Sequence, residues 1–132
     1  MVNPIDATDR VLAVVIPAHN EEKTIATVLK GFDALACVRE IIVVDDGSTD
    51  WTAQVVESFD CPRLRLIRQQ PNQGKTAAIR RGLAEVTSPL CIIQDADLEY
   101  DPQEIPAVIE PIVRGKADVV YGSRFAPREE RP

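Results

Sequence analysis

Short apolar runs rich in β-branched residues alternate along the chain with segments in which apolar residues recur every three or four positions. The runs predict five strands, because β-branched residues pack well on a pleated surface: Val11–Ile16, Ile41–Val44, Leu64–Arg68, Leu90–Ile93 and Val119–Tyr121. The helical period predicts helices on apolar stripes at Ile25, Val28, Leu29, Phe32 and Leu35, at Ile79, Leu83 and Val86, and at Ile105, Val108, Ile109, Ile112 and Val113. A weaker helical pattern around Val55, Val56 and Phe59 follows Asp50, a residue suited to capping a helix.

Near-continuous apolar strands that are linked by helices are typical of parallel sheets with both faces covered. The sequence therefore predicts an α/β fold, a three-layer sandwich with a mostly parallel central sheet. Ligands of such folds bind outside the carboxyl ends of the strands. The functional residues of this chain are expected at that edge.

Polar and ionisable residues follow four of the predicted strands at their carboxyl ends, in the segments 17–22, 45–50, 94–99 and 122–124. Parallel strands bring such segments to one edge, where they form a polar crevice. Ordinary turn and capping chemistry is the alternative for each segment alone, since Asp46-Gly47 is a standard turn pair and Asn20 suits a helix cap. Neighbouring side chains of an extended segment point to opposite sides, so Asp46 is expected to face the crevice and Asp45 the other side.

Three carboxylates spaced two apart, Asp95, Asp97 and Glu99, directly follow the fourth predicted strand. Alternate side chains of an extended segment share a face, so these three would point the same way if the strand geometry persists. Like charges at such spacing repel, and a hard divalent cation such as Mg²⁺ or Mn²⁺, shared with the phosphates of a substrate, relieves the repulsion. A solvated acidic turn is the alternative for this segment.

The composition of the chain argues against several classes of protein. A chain of 132 residues with 45% hydrophobic content is long enough for one domain with one core. A net charge of −6 argues against general attraction to nucleic acid or to an anionic membrane, so the phosphates of a partner must meet local cations. No apolar run approaches the roughly 20 residues that span a bilayer, and the first residues lack the pattern of a secretory signal, so a cytoplasmic protein is expected. The single histidine, His19, excludes a histidine-rich zinc site.

Five segments together resemble the family 2 glycosyltransferases, which have the GT-A fold. They are Pro17-x-His19-Asn20-Glu21, Val44-Asp45-Asp46-Gly47-Ser48-Thr49-Asp50, Asn72-x-Gly74-Lys75, Asp95-Ala96-Asp97 and Gly122-Ser123-Arg124. Within the family the chain looks most similar to the enzymes that load mannose or glucose onto dolichyl or other polyprenyl phosphates, because Asp101-Pro102 shortly follows Asp95-Ala96-Asp97-Leu98 and because of the Gly122-Ser123-Arg124 segment. The resemblance covers about residues 11–125, a donor-binding domain, with residues 1–10 as a flexible N-terminus and residues 126–132 as a loop or tail cut off in mid-course.

The resemblance implies a nucleotide-diphosphate sugar donor, GDP-mannose or UDP-glucose, bound by Pro17, His19, Glu21, Val44, Asp46, Asp95, Ala96, Asp97 and Arg124. Asp95, Asp97 and Arg124 would take part in catalysis. A Mg²⁺ or Mn²⁺ cofactor would be held by Asp97 and Glu99, and the acceptor would be a polyprenyl phosphate at the cytoplasmic face of a membrane. Many relatives have Tyr at the position of His19, and the polyprenyl-phosphate relatives often have Gln at the position of Glu99.

The chemistry of such a crevice needs no covalent nucleophile. A metal on Asp97 and a cation such as Arg124 can stabilise a leaving diphosphate, and a lipid phosphate is largely ionised near neutral pH because its second pKa is about 6. Gly74 and Lys75 are expected to form a turn and the start of a helix, with Lys75 facing the crevice. A non-catalytic nucleotide-sugar-binding module, or a fragment that lacks the acceptor half and turns over poorly, is the alternative to an active transferase. Uridine and guanosine both stay open as the base.

Overall fold

The computed structural model of the protein describes residues 10–97 and residue 107. Strands alternate with helices along residues 10–97 in the order β1 (Leu12–Ala18), α1 (Ile25–Asp33), β2 (Val38–Asp46), α2 (Thr52–Ser58), β3 (Leu64–Gln69), α3 (Lys75–Leu83) and β4 (Leu90–Ile93). Ala107, within the last predicted helix, is helical and exposed. The predicted strand Val119–Tyr121 lies outside the described residues.

The strands β1 to β4 are parallel and lie side by side in the order β3-β2-β1-β4. This arrangement confirms the predicted α/β fold and the four strands predicted within residues 10–97. β2 is longer than predicted, because it begins at Val38, beside Leu12 of β1, and continues to Asp46, which pairs with Gln69 of β3. Polar residues near both ends of β2 interrupt the apolar run, so the apolar pattern alone underestimates its length.

The sheet separates two layers of helices. On one face, alternate residues of β1 such as Val14 and Ile16 form the larger core with Phe32 of α1 and other residues of α1 and α2. On the opposite face, Val44 of β2 packs with Ala78 of α3. Among the described residues, no helix is both long and apolar enough to cross a bilayer.

The helices α1 and α2 lie close to their predicted positions. α1 ends at Asp33, so Leu35 of the predicted stripe follows the helix and packs against the core half-buried. The residue at the N-cap of α2 is Trp51 and not Asp50 as predicted. Asp50 still stabilises this helix end, because its Oδ1 accepts a 2.9 Å hydrogen bond from the N–H of Thr52, two residues further along.

Small residues form the buried side of α3. Ala78 and Gly82 are buried, whereas Leu83 is 39% exposed and Val86 follows the end of the helix. The stripe predicted through Ile79, Leu83 and Val86 is therefore wrong at Leu83, whereas Val86 follows the helix but packs half-buried against the core around Ala78. The helix packs its small residues against the sheet, because only small residues allow so close an approach. The predicted stripe missed this side, because alanine and glycine do not stand out in a pattern of large apolar residues.

Gly82 is the point of closest approach between α3 and the sheet. A Cβ atom at this position would lie 2.5 Å from Cγ1 of Val15 and 3.1 Å from Cγ2 of Val44, two fully buried side chains. We expect Gly82→Ala to lower the free energy of unfolding by about 1 kcal/mol, because overpacking costs about 1–3 kcal/mol and removing a helical glycine returns at most about 1 kcal/mol. Urea unfolding measures the change.

A double variant provides the control for this clash. Val15→Ala removes the side chain that the new methyl group would meet. Gly82→Ala combined with Val15→Ala should therefore destabilise the chain by less than the sum of the two single changes. Additive effects would contradict the proposed contact.

Candidate functional site

A pocket of about 390 Å³ lies at the carboxyl edge of the sheet, on the side covered by α3. Its lining comes from the ends of β1 and β2, the turn between β3 and α3, the first turns of α3 and the segment after β4: Pro17, Ala18, His19, Glu21, Asp46, Asn72, Gly74, Lys75, Ala78, Asp95, Ala96 and Asp97. Three of the four polar segments predicted to converge thus meet here. Of the residues predicted to bind a nucleotide sugar, Val44 is buried beneath α3 and does not line the pocket, and Arg124 lies outside the described residues.

The carboxylate of Asp46 holds the turn between β3 and α3. Its Oδ1 accepts hydrogen bonds from Nε2 of Gln69 at 2.9 Å and from the N–H of Gln73 at 2.7 Å, and its Oδ2 accepts one from the N–H of Gly74 at 2.9 Å. Burial alone would raise the pKa of Asp46, but these hydrogen bonds outweigh it and hold the pKa below its ordinary value of 3.8. Asp46 is therefore ionised at neutral pH and positions the start of α3 at the pocket.

Asp45 points to the opposite side of β2, as predicted, and does not line the pocket. It is fully buried. Its Oδ1 accepts a 3.3 Å hydrogen bond from the N–H of Ser48, and its Oδ2 lies 3.7 Å from Nε of Arg68. The two adjacent carboxylates thus act in different places, Asp46 at the pocket and Asp45 within the turn that leads to α2.

His19 connects the ends of β1 and β2. With its proton on Nδ1, the ring donates a 2.8 Å hydrogen bond to the carbonyl oxygen of Asp46. Nδ2 of Asn72 donates to the same oxygen at 3.0 Å, and Nδ2 of Asn20 donates to Nε2 of the ring at 3.3 Å. The ring is therefore held in a defined orientation at the wall of the pocket.

Lys75 and two carboxylates of the segment after β4 lie together in the lining. Nζ of Lys75 is 2.5 Å from Oδ1 of Asp95, which confirms that Lys75 faces the crevice. Between Asp95 and Asp97, the carbonyl oxygen of Ala96 accepts a 2.7 Å hydrogen bond from Oγ1 of Thr24. This bond holds the acidic segment against the start of α1.

Negative charge accumulates around Glu21. Partial burial, and after it repulsion from Asp97, raises the pKa of Glu21 above its ordinary value of 4.5. A hydrogen bond from Thr24 lowers this pKa, but repulsion from Asp50 and Asp95 adds to the rise. The ionised form of Glu21 is thus disfavoured in a pocket that already holds several carboxylates.

The acidic residues of the pocket offer oxygen ligands to a divalent cation. Within the described residues, no three acidic, histidine or cysteine side chains are grouped as a complete metal site. Mg²⁺ is usually held by one or two carboxylates together with substrate phosphates and water, so Asp95 and Asp97 fit such a cation. Glu99, the other predicted ligand beside Asp97, lies outside the described residues.

Several lining residues have no predicted binding role. Asn72 and Gly74 belong to the segment Asn72-x-Gly74-Lys75, whose place after the carboxyl end of β3 and whose part in the family resemblance were the available signals. Gly47 allows the turn to come close, since a Cβ atom there would lie 2.6 Å from the backbone nitrogen of Asn72. Ala18 and Ala78 contribute only surface, and no chemical property in the sequence distinguishes them from other alanines.

The family model of Glycosyl transferase family 2 matches residues 13–132. The chain belongs to this family. The match includes every residue of the pocket lining and confirms the resemblance carried by the five sequence segments.

Relatives with named activities align with most of the chain. The dolichol-phosphate mannosyltransferase of Pyrococcus furiosus is 33% identical over 117 residues, 86% of this chain and 33% of that protein. The undecaprenyl-phosphate 4-deoxy-4-formamido-L-arabinose transferase of Pseudomonas aeruginosa is 36% identical, over 96% of this chain and 38% of that protein. A solved structure, glucosyl-3-phosphoglycerate synthase of Mycobacterium tuberculosis, superposes on the chain with a TM-score of 0.67 at 30% identity. The superposition covers 79% of this chain and 40% of the synthase, which was crystallised with Mn²⁺, uridine diphosphate and glucosyl-3-phosphoglycerate. The chain thus spans from a third to two fifths of these three proteins.

Glu21→Gln tests the crowding of negative charge in the pocket. An acid whose pKa is raised in the folded state binds its proton more tightly there, so ionisation of Glu21 destabilises the fold as the pH rises above 4.5. In a chelating buffer we expect Glu21→Gln to be more stable than the parent chain at about pH 7 and to lose this advantage as the pH falls towards 4.5. Thermal melting across this range measures the difference.

Glu57→Gln, which neutralises an exposed carboxylate of α2, is the control for a general effect of net charge. An equal gain in stability in both variants would contradict the local crowding around Glu21, as would a gain that does not change with pH.

Proposed function

We propose that this chain is the donor-binding part of a metal-dependent glycosyltransferase that transfers a sugar from a nucleoside diphosphate to a polyprenyl phosphate. One observation carries the proposal: in a family 2 chain, Asp46, Asp95, Asp97 and Lys75 meet around one pocket at the carboxyl edge of a parallel sheet. This edge is where α/β folds bind nucleotides. The lining combines carboxylates, which a divalent cation needs, with an ammonium group, which a diphosphate needs.

The two ends of the pocket suggest an orientation for the donor. Pro17 and the ring of His19 offer flat apolar surface beside hydrogen-bonding groups, as a nucleoside requires, and we assign the nucleoside to this end. Lys75, Asp95 and Asp97 offer charge, and we assign the diphosphate and its cation to that end. The crystallisation of the similar M. tuberculosis synthase with uridine diphosphate and Mn²⁺ supports a donor of this class.

The transfer exchanges one bond at the anomeric carbon of the sugar. The bond from this carbon to the diphosphate oxygen breaks and the diphosphate leaves with the electron pair, while an oxygen of the acceptor phosphate supplies the pair for the new bond. A phosphate monoester is largely ionised near neutral pH because its second pKa is about 6, so the chain need not supply a general base. A divalent cation, when bound, neutralises charge on the leaving diphosphate. Lys75 adds a positive charge of the chain's own in the same pocket.

The acceptor is proposed from the relatives. The names of the P. furiosus and P. aeruginosa proteins specify dolichol phosphate and undecaprenyl phosphate, both polyprenyl phosphates. We therefore infer that the donor pocket works at the cytoplasmic face of a membrane, where such an acceptor would be presented. A nucleotide-sugar-binding module without transfer activity is the alternative.

We expect nucleotide binding to depend on a divalent cation. Calorimetric titrations with UDP and with GDP, each with Mn²⁺ and with a chelator, identify the base and measure the coupling. The preferred nucleotide should bind at least about tenfold more tightly with Mn²⁺, and Asp97→Asn should remove most of this gain, because both ligands meet in one site. The control Asp60→Asn changes an exposed carboxylate before β3 and should retain the full gain in affinity with Mn²⁺. Equal affinity in the chelator would show that binding is not metal-coupled.

A transfer assay separates the enzyme from the binding module. The chain is incubated with a polyprenyl phosphate, Mn²⁺ and either radiolabelled UDP-glucose or radiolabelled GDP-mannose. Label that enters the lipid fraction, and that is lost with Asp97→Asn, supports the transferase. Nucleotide binding without labelled lipid would show that this chain does not transfer the sugar by itself, which is expected of the module and of an isolated donor-binding part alike.

A further inference from the structure

Two loops at the carboxyl edge, which connect β1 to α1 and β2 to α2, are bound to each other. Oδ1 of Asn20 accepts hydrogen bonds from the N–H of Thr49 at 2.8 Å and from the N–H of Asp50 at 3.3 Å. In return, Oγ of Ser48 accepts a 2.8 Å hydrogen bond from the N–H of Asn20. We refer to these contacts of Asn20 with Ser48, Thr49 and Asp50 as the interloop latch.

The residues after Asn20 extend the connection between the two loops. The N–H of Glu21 donates to Oγ1 of Thr52 at 2.8 Å. The N–H of Glu22 donates to Oδ2 of Asp50 at 3.3 Å, and Oε1 of Glu22 accepts a 3.0 Å hydrogen bond from the N–H of Trp51. The interloop latch is therefore the first part of one continuous network.

The backbone bends at Asn20, between two residues of the pocket. Its φ of +53° lies in the left-handed region, which asparagine adopts more readily than most residues. His19 before it and Glu21 after it both line the pocket, whereas Asn20 and Ser48 do not. The interloop latch thus controls the placement of two pocket residues from outside the pocket.

We propose that Asn20 is a positioning residue for the nucleotide, which acts through the interloop latch to keep His19 bound to the carbonyl oxygen of Asp46. The ring and this carbonyl group belong to the ends of two different strands, and their 2.8 Å hydrogen bond requires the two loops to keep one relative position. A binding site that is ordered before its ligand arrives loses less free energy on binding. The inference deepens the proposed function and rests on it, since both concern the same pocket.

The interloop latch contributes more to the site than to the fold. β1 and β2 are paired from Leu12 to Ala18, and their buried side chains belong to the cores. Asn20 and Thr49 are exposed, and exposed hydrogen bonds are readily replaced by hydrogen bonds to water. Loss of the latch should therefore change nucleotide binding more than stability.

Two variants, one from each loop, test the role of the interloop latch. Asn20→Gly keeps a backbone that adopts the left-handed region and removes Oδ1, together with Nδ2, which is bound to Nε2 of His19. Ser48→Ala removes the oxygen that accepts the N–H of Asn20 and leaves both side-chain atoms of Asn20 in place, so it tests the latch without removing a contact to the ring. Gln54→Ala, which shortens an exposed amide side chain of α2, is the matched control. Titrations with UDP and GDP in the presence of Mn²⁺ measure affinity, and thermal melting measures stability.

The chain carries its own reporters of the latch, because His19 is its one histidine and Trp51 its one tryptophan. The NMR signals of the imidazole report the hydrogen bond at Nδ1. The fluorescence of Trp51 reports the junction of the loops, since its backbone N–H is bound to Glu22. Both signals are read in the ligand-free chain and do not depend on the proposed function.

We expect Asn20→Gly and Ser48→Ala each to weaken binding of the preferred nucleotide by about tenfold and to change the His19 signals, with melting temperatures within a few degrees of the parent chain. The double variant should lose less than the product of the two single effects, because both act on one network. Parent affinity in Asn20→Gly, or unchanged His19 signals in Ser48→Ala, would overturn the inference. If the parent chain binds neither UDP nor GDP, the proposed function fails, and the His19 signals then decide whether the latch positions the ring.

Discussion

The crowding of negative charge at one edge of the sheet is the constraint on which the rest of this site depends. Asp46, Asp95, Asp97 and Glu21 line a single pocket, where each ionised carboxylate raises the free energy of the others unless a partner compensates it. Backbone N–H groups of the β3–α3 turn compensate Asp46, and Lys75 compensates Asp95. Glu21 is compensated less, and its pKa rises. With a net charge of −6, the chain must supply such compensation locally.

The position of α3 links this electrostatic balance to the packing of the core. Gly82 brings the end of the helix against Val15 and Val44 of the sheet. Lys75 lies seven residues earlier in the same helix, about two turns away, so the contact at Gly82 also determines where the ammonium group lies. At the helix start, the N–H of Gly74 is bound to Asp46. The helix is thus fixed at both ends, once by apolar packing and once by a carboxylate.

The architecture was predictable because strand and helix periods are properties of short segments. β4 has the bounds predicted for it, and the parallel arrangement placed the strand-end segments at one edge before any contact was known. The pairing of charges was not predictable, since Lys75 and Asp95 are twenty positions apart and no local pattern joins them. Leu83 was wrongly predicted to face the sheet. The residue that does face it, Gly82, has no side chain and therefore does not contribute to an apolar pattern. The predicted orientations of Asp45 and Asp46 are confirmed because alternation along a strand does not depend on tertiary contacts.

In the ligand-free pocket, Lys75 and Asp95 neutralise each other. A bound donor that separates them must provide a new counter-charge for each. Lys75 is 59% and Asp95 35% exposed, and ion pairs at such exposure contribute little stability, so the pair is readily exchanged. Asp95 could accept a divalent cation in place of the ammonium group only by leaving Lys75 unpaired. Lys75 could turn to a diphosphate only by leaving Asp95 uncompensated. Under the proposed function, a bound cation pairs with Asp95 and a bound diphosphate pairs with Lys75, so neither residue loses its counter-charge when both ligands bind together. The coupling of nucleotide and cation therefore follows from Lys75 as much as from the acidic residues.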